Sequence, residues 1–298
     1  LSRSIGVEAQ VSIVKILAPL TGGARDAIVL ESAFAAAAPF AAHVVALFVR
    51  PDPAEAMPFF GEGISAAVLQ EVVDAARDAA DKASRDAQAL LAKVAAVANA
   101  DVTAKPEKRD RPSASFREVQ GNFADRVAQA SRLADLVVFG PLKSGDKPGL
   151  GEAFEAALLE AGRPVLLTAQ GPQRNFVGRI AIGCDGSVAS AHAVTASLPY
   201  LKIAASVELF TVKRGEECGS PCDEVREYLS LNGIACSERL LDAGQRPTGE
   251  AVLDAASQCG ADLLVLGGYG HSRLRQAFVT GVTRHVVSHA ELPLFLVH

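Results

Sequence analysis

The sequence predicts an α/β protein made of two tandem copies of one domain, each a five-stranded parallel sheet with helices on both faces. Three observations predict this. Four sequence blocks recur in the same order in the two halves, short apolar runs alternate with longer helical patterns, and 298 residues suit two domains better than one.

The first block aligns Lys15–Gly22 with Arg179–Gly186, each a short apolar run that opens into a turn. The second aligns Ala41–Val49 with Ala204–Val212. The third is the closest match, Ala134-Asp-Leu-Val-Val-Phe-Gly140 against Ala261-Asp-Leu-Leu-Val-Leu-Gly267, and the fourth pairs Arg163–Leu167 with Leu292–Leu296. A Gly-, Pro- and Gln-containing linker, Ala169 to Asn175, separates the copies and sets domains at 12–168 and 177–298.

In the second copy, strands are expected near 178–183, 205–212, 236–241, 262–266 and 292–297, with helices near 187–199, 219–232, 247–259 and 281–289. Runs such as Leu263-Leu-Val-Leu266 do not alternate with polar residues, as expected of strands buried on both faces. The first copy follows the same plan but inserts a long helix, Ile64 to about Asn99, between its second and third strands. Its Asp, Lys, Arg and Gln residues read as a solvated face, and the helix as a cover or an interface that offers a surface for a homodimer. The last strands of the copies, Val165–Thr168 and Leu294–His298, read as sheet edges that pair with each other, so that the chain resembles a dimer of one-domain units.

Composition narrows the partners. A net charge of −5 disfavours nucleic acid, which draws its affinity from clustered Lys and Arg. The most apolar stretch, Ala33 to Val49, is broken by Pro39 and His43 and reads as a helix followed by a strand, not a membrane anchor. The five cysteines, Cys184, Cys218, Cys222, Cys236 and Cys259, are irregularly spaced and make no disulfide framework, which points to a reducing cytoplasm. Cys218 and Cys222 read as a metal clasp, a reversible disulfide or plain loop thiols, and no neighbouring ligand completes a zinc shell.

Open parallel sheets bind ligands beyond the carboxyl ends of their strands, where the strand order reverses. In the second copy those ends supply Asp185-Gly-Ser187, Val212-Lys-Arg214 and the segment beginning Gly267-Gly-Tyr-Gly270. That last segment has the composition of a phosphate site. Its glycines let backbone approach an anion, Ser272 and Thr283 add hydroxyl donors, and a helix follows with its positive end toward the ligand. His271 is a candidate phosphate contact, while His192, His285 and His289 read as helix residues. Arg273 and Arg275 read as surface residues or added positive charge. Asp185 fits either an Asp-Gly turn or a contact to a ribose, a base or a metal beside the phosphates.

These residues resemble the universal stress protein family in its tandem form, over roughly 12–168 and 177–297. The resemblance implies two Rossmann-like domains of the adenine nucleotide alpha hydrolase type. Its ATP-binding members carry G-x2-G-x9-G-S/T after the fourth strand, an acidic residue after the first, and adenine contacts after the second. Carried over, Gly267 and Gly270 match the first two glycines, Asp185 the acidic residue and Val212 the adenine contact. Thr280 stands where the third glycine is expected, and Gly281, Val282 and Thr283 follow. The first copy has Lys143 in place of Gly270 and Thr21 in place of Asp185, and reads as a degenerate, structural half.

Other nucleotide and hydrolase motifs fail. Gly140-Pro-Leu-Lys-Ser-Gly145 is followed by Asp146, not Lys, so it is no Walker loop, and neither a dinucleotide fingerprint nor a nucleophile elbow is present. The expected function is ATP binding, with or without Mg, in the second copy of a stress-response sensor or interaction protein. The alternatives are a nucleotide-free scaffold with a drifted loop and a slow ATP-hydrolysing relative, and no residue stands out as a general base.

Overall fold

The computed structural model describes residues 12–51, 66–142, 149–171, 175–212, 222–268 and 281–298. The first copy runs β1 (Lys15–Leu20), α1 (Asp26–Ala37), β2 (His43–Arg50), α2 (Ala66–Val97), β3 (Asp101–Val102), β4 (Ser113–Gln120), α3 (Phe123–Ser131), β5 (Leu136–Phe139), α4 (Leu150–Glu155) and β6 (Val165–Leu167). The second runs β7 (Arg179–Cys184), α5 (Val188–Leu201), β8 (Ser206–Val212), α6 (Asp223–Leu231), β9 (Cys236–Leu241), α7 (Thr248–Gln258), β10 (Leu263–Gly267), α8 (Val282–His289) and β11 (Leu294–Val297).

All strands among the described residues join one sheet in the order β3-β4-β2-β1-β5-β6-β11-β10-β7-β8-β9. Every neighbouring pair is parallel except one. At the centre β6 meets β11 antiparallel, with Val165 opposite Leu296, Leu166 opposite Phe295 and Leu167 opposite Leu294. The final strand of each copy thus covers the other's edge, and neither edge is left as a template for foreign strands. The first copy carries the expected five strands and, beyond them, the two-residue edge strand β3 beside β4.

Both faces of the middle of the sheet are covered, which is why β1, β2, β5, β10 and β11 lack polar alternation, whereas β4 and β9 toward its two ends carry exposed polar residues. Along β1 and β2, Ile16, Ala18, Val44, Ala46 and Phe48 face one core, with α1, α2, α5 and α6 packed over it. Leu17, Val45, Leu47 and Val49 face the other, under α3, α4, α7 and α8. Each core runs through both copies without a break. The copies are joined there by Tyr200 of α5, whose ring meets Phe40 edge-on at 5.0 Å and Phe295 at 6.0 Å.

The repeated Ala-Asp-Leu block has a specific task in the structure. Asp135 accepts the backbone amides of Val14 and Lys15, both at 2.9 Å, and Asp262 accepts that of Arg179 at 2.7 Å. Each carboxylate fastens the start of its copy's first strand to the start of the strand beside it.

The long helix α2 is covered only in its second half, where Ala87, Leu91, Val94 and Ala95 join the core. Arg50, at the end of β2, ties it down through ion pairs to Asp81 of α2 and Glu118 of β4. Its first half is exposed nearly all round, Val68 and Val72 included, which matches the solvated face read from its charges.

Among the described residues no helix is long and apolar enough to cross a membrane.

Candidate functional site

The strand order reverses between β7 and β10, so the carboxyl ends of these strands diverge into separate loops. At the end of β7, the exposed Asp185 accepts the amide of Ser187 at 3.0 Å in a tight Asp-Gly-Ser turn. Ser187 then caps α5, accepting the amide of Ser190 at 3.1 Å. The turn reading of Asp185 is therefore realised, and the turn presents its carboxylate at the mouth of the sheet. Val212 ends β8 beside it, since its predecessor Thr211 is the register partner of Cys184, the residue before Asp185.

Gly267 closes β10 against the first turn of α5. A methyl group there would stand 2.5 Å from the amide nitrogen of Ser190 and 2.6 Å from the carbonyl carbon of Ala189, so chain packing alone demands glycine. Gly268 donates its amide to the Val297 carbonyl at 2.6 Å and accepts from the His298 ring at 3.0 Å.

The start of α8 comes to the same place. The Thr283 methyl lies 3.8 Å from where a side chain on Gly268 would begin. Gly281 takes the cap position in an extended conformation, no side chain caps the helix, and the space a Cβ would occupy at Gly281 is open. The first-turn amides at Val282 and Thr283 belong to a helix end that favours anions.

The structure thus brings Asp185, Val212, Gly267, Gly281, Val282 and Thr283 to one end of the sheet. Gly270, His271 and Ser272 lie outside the described residues, as do Thr280, Arg273 and Arg275. His192 and His298 were not read as neighbours of this mouth, yet the His192 ring donates to the His298 carbonyl at 3.2 Å, and the His298 ring holds Gly268 in turn. No local pattern signals this, because the contact joins α5 to the end of β11.

The matching place in the first copy is filled by its own side chains. The buried Asp26 accepts the amides of Thr21 at 2.9 Å and Gly22 at 2.8 Å, together with the Thr21 hydroxyl at 3.0 Å. Arg25 reaches across the switch point to the Pro141 carbonyl at 3.1 Å. The turn after β1 has spent its donors internally, whereas the turn after β7 keeps an exposed carboxylate.

Beneath the second mouth sits a thiol cluster. Cys222 is fully buried with its sulfur 2.7 Å from the Thr211 hydroxyl. The hydrogen bond from Cys222, with burial, pushes the Cys184 thiol up, and burial also raises Cys236. Buried thiols raised in this way are poor nucleophiles and poor metal ligands. Cys184, Cys222, Cys236 and Cys259 form no disulfide, and no group of three metal-ligating side chains occurs among the described residues. Cys218, the other half of the spaced pair, lies outside them.

Residues 241–298, which include the β10 end and the start of α8, match the model of the universal stress protein family. The second copy is similar to the universal stress proteins. Among solved structures, a universal stress protein from Archaeoglobus fulgidus DSM 4304 superposes with a TM-score of 0.70 at 15% identity, covering 95% of each chain. A protein of unknown function from Pseudomonas aeruginosa PAO1 superposes with a TM-score of 0.56 at 11% identity, over 96% of this chain and 92% of that one. At such identities the likeness is one of fold, and its coverage extends over both copies. No curated protein matches the chain by sequence.

Proposed function

We propose that the second copy binds an adenine nucleotide, ATP in the first instance, and that the chain acts in stress response as a nucleotide-linked sensor or interaction protein in the cytoplasm. One observation carries the reading: the Asp185 turn, the Gly267–Gly268 strand end and the uncapped start of α8 converge at the switch point of the second copy. These groups fit the ligand by chemistry. Backbone amides and the helix end suit the phosphates, the Asp185 carboxylate suits a ribose hydroxyl or a phosphate-bound Mg ion, and Val212 suits the adenine edge.

The first copy is the structural half of a built-in dimer. Its turn amides bind Asp26, and a phosphate would have to displace that buried carboxylate.

Mass spectrometry of small molecules released from gently purified protein tests the reading. ATP or ADP in near-stoichiometric amount is the expected result. Protein that carries no nucleotide, and takes up none at millimolar ATP, would leave the rival reading of a nucleotide-free scaffold. That rival draws its support from Gly267, whose missing side chain packing already explains.

A further inference from the structure

Lys15 of β1, His43 of β2, Ser113 of β4 and Asp101 of β3 are successive register partners, so they form one row across the amino end of the first copy's sheet. Ser115 and Arg117 stand two and four residues further along β4, on the face that Ser113 shares. We propose that this face binds an oxyanion of the phosphate class, held between the Lys15 ammonium and the Arg117 guanidinium over the Ser115 hydroxyl.

The hydrogen bonding leaves a donor for such a ligand. The His43 ring bridges two hydroxyls, with Nδ1 2.8 Å from that of Ser113 and Nε2 2.9 Å from that of Ser115. A neutral imidazole donates at one nitrogen and accepts at the other, so one hydroxyl receives the ring proton and keeps its own. Ser113 is buried and its hydroxyl has no other partner among the described residues, so its proton goes to Nδ1, where it is satisfied. The proton left over is that of Ser115, which is half-buried on the side that opens toward the exposed Arg117.

The charges call for an anion as well. Among the described residues neither Lys15 nor Arg117 has a carboxylate within ion-pair distance. Asp135 accepts the backbone amides of Val14 and Lys15, and Asp101 is shared between Arg109 and Arg111. Burial and the Arg117 charge push the Lys15 ammonium below the ordinary lysine range, as expected of two cations that face each other without a counter-ion. Arg109 adds a third positive charge felt at His43, and its Nε is buried with no acceptor among the described residues. A doubly charged oxyanion offsets this repulsion more than a single carboxylate does, and its oxygens accept from ammonium, guanidinium and hydroxyl together.

Histidine-ring NMR of the full chain at constant pH, titrated with inorganic phosphate and, at equal ionic strength, with chloride, tests the site. The His43 resonance, identified by its loss in His43→Gln, is expected to move saturably with phosphate and not with chloride. Arg117→Gln, an exposed change that spares the core, is expected to weaken this response about fivefold, and Lys15→Gln likewise. Gly270→Val, which alters only the second copy, is expected to leave it unchanged. Glycerol phosphate that moves the ring at lower concentration than inorganic phosphate assigns the site to a phosphate monoester, and the reverse order assigns it to the free ion. A His43 ring indifferent to millimolar phosphate, equal shifts with chloride, or a wild-type response in Arg117→Gln would overturn the proposal.

Discussion

The Tyr200 hydroxyl donates to the Ala36 carbonyl at 3.0 Å, joining two residues 164 positions apart and the two copies of the domain. Ala36 lies in the last turn of α1, where carbonyls lack partners within their own helix. A side chain of the second copy therefore completes a helix of the first, in a place where Tyr200 is fully buried and its phenol is pushed far above its ordinary range by burial.

Tyr200→Phe keeps the ring contacts with Phe40 and Phe295 and removes only this bond. It is expected to lower stability by about 1–3 kcal/mol, the cost of leaving a buried carbonyl unpaired. Denaturant unfolding is expected to remain a single transition, because each core runs through both copies. Two separated transitions would show that the copies fold independently.

Asp262→Ala removes the clamp on the Arg179 amide and is expected to cost about 1 kcal/mol. Asp135→Ala, which frees two amides in the first copy, is expected to cost more. Hydrogen exchange at Arg179 and at Lys15 reads each effect locally, and unchanged protection would contradict the assigned role.

His43 gives the fold a pH dependence of defined sign. Its ring bridges the hydroxyls of Ser113 at 2.8 Å and Ser115 at 2.9 Å, and burial, with the charges of Lys15 and Arg109, holds its pKa below the ordinary histidine value of 6.5. The folded state favours the neutral ring. As pH falls below 6.5 the unfolded chain takes up a proton that the folded chain resists, so stability declines until the folded pKa is reached. Above 6.5 the contribution is constant. Urea midpoints for wild type and His43→Gln, measured across this range, are expected to diverge in slope on the acid side.

The sheet was legible because four blocks repeat and because Leu263–Leu266 and its counterparts lack polar alternation. The central pairing of β6 with β11 was legible too, as two edges in need of cover. The site was legible only in part. Asp185 and Gly267 stand out in sequence, but Gly267 also meets the Ser190 backbone, a contact that no local pattern records. Asp26 escaped notice because an acidic residue in the first turn of a helix is unremarkable by itself. Its role depends on the chain folding back to the amides of Thr21 and Gly22. The bond from Tyr200 to Ala36 has no signature in periodicity, since it arises only when two copies dock.

Gly267→Ala separates packing from binding. The added methyl meets backbone at 2.5 Å and is expected to destabilise the chain by about 1–3 kcal/mol even without ligand. A melting temperature equal to that of wild type would show that α5 and β10 can move apart at no cost.

The most direct test of the nucleotide assignment is an equilibrium titration with ATP and Mg of wild type, Gly270→Val and Asp26→Ala. Wild type is expected to bind one ATP per chain and Gly270→Val none, with unchanged folding. Asp26→Ala, altered only in the first copy, is expected to keep the second site intact. Equal binding by wild type and Gly270→Val, or no binding by either, would contradict the placement of ATP in the second copy.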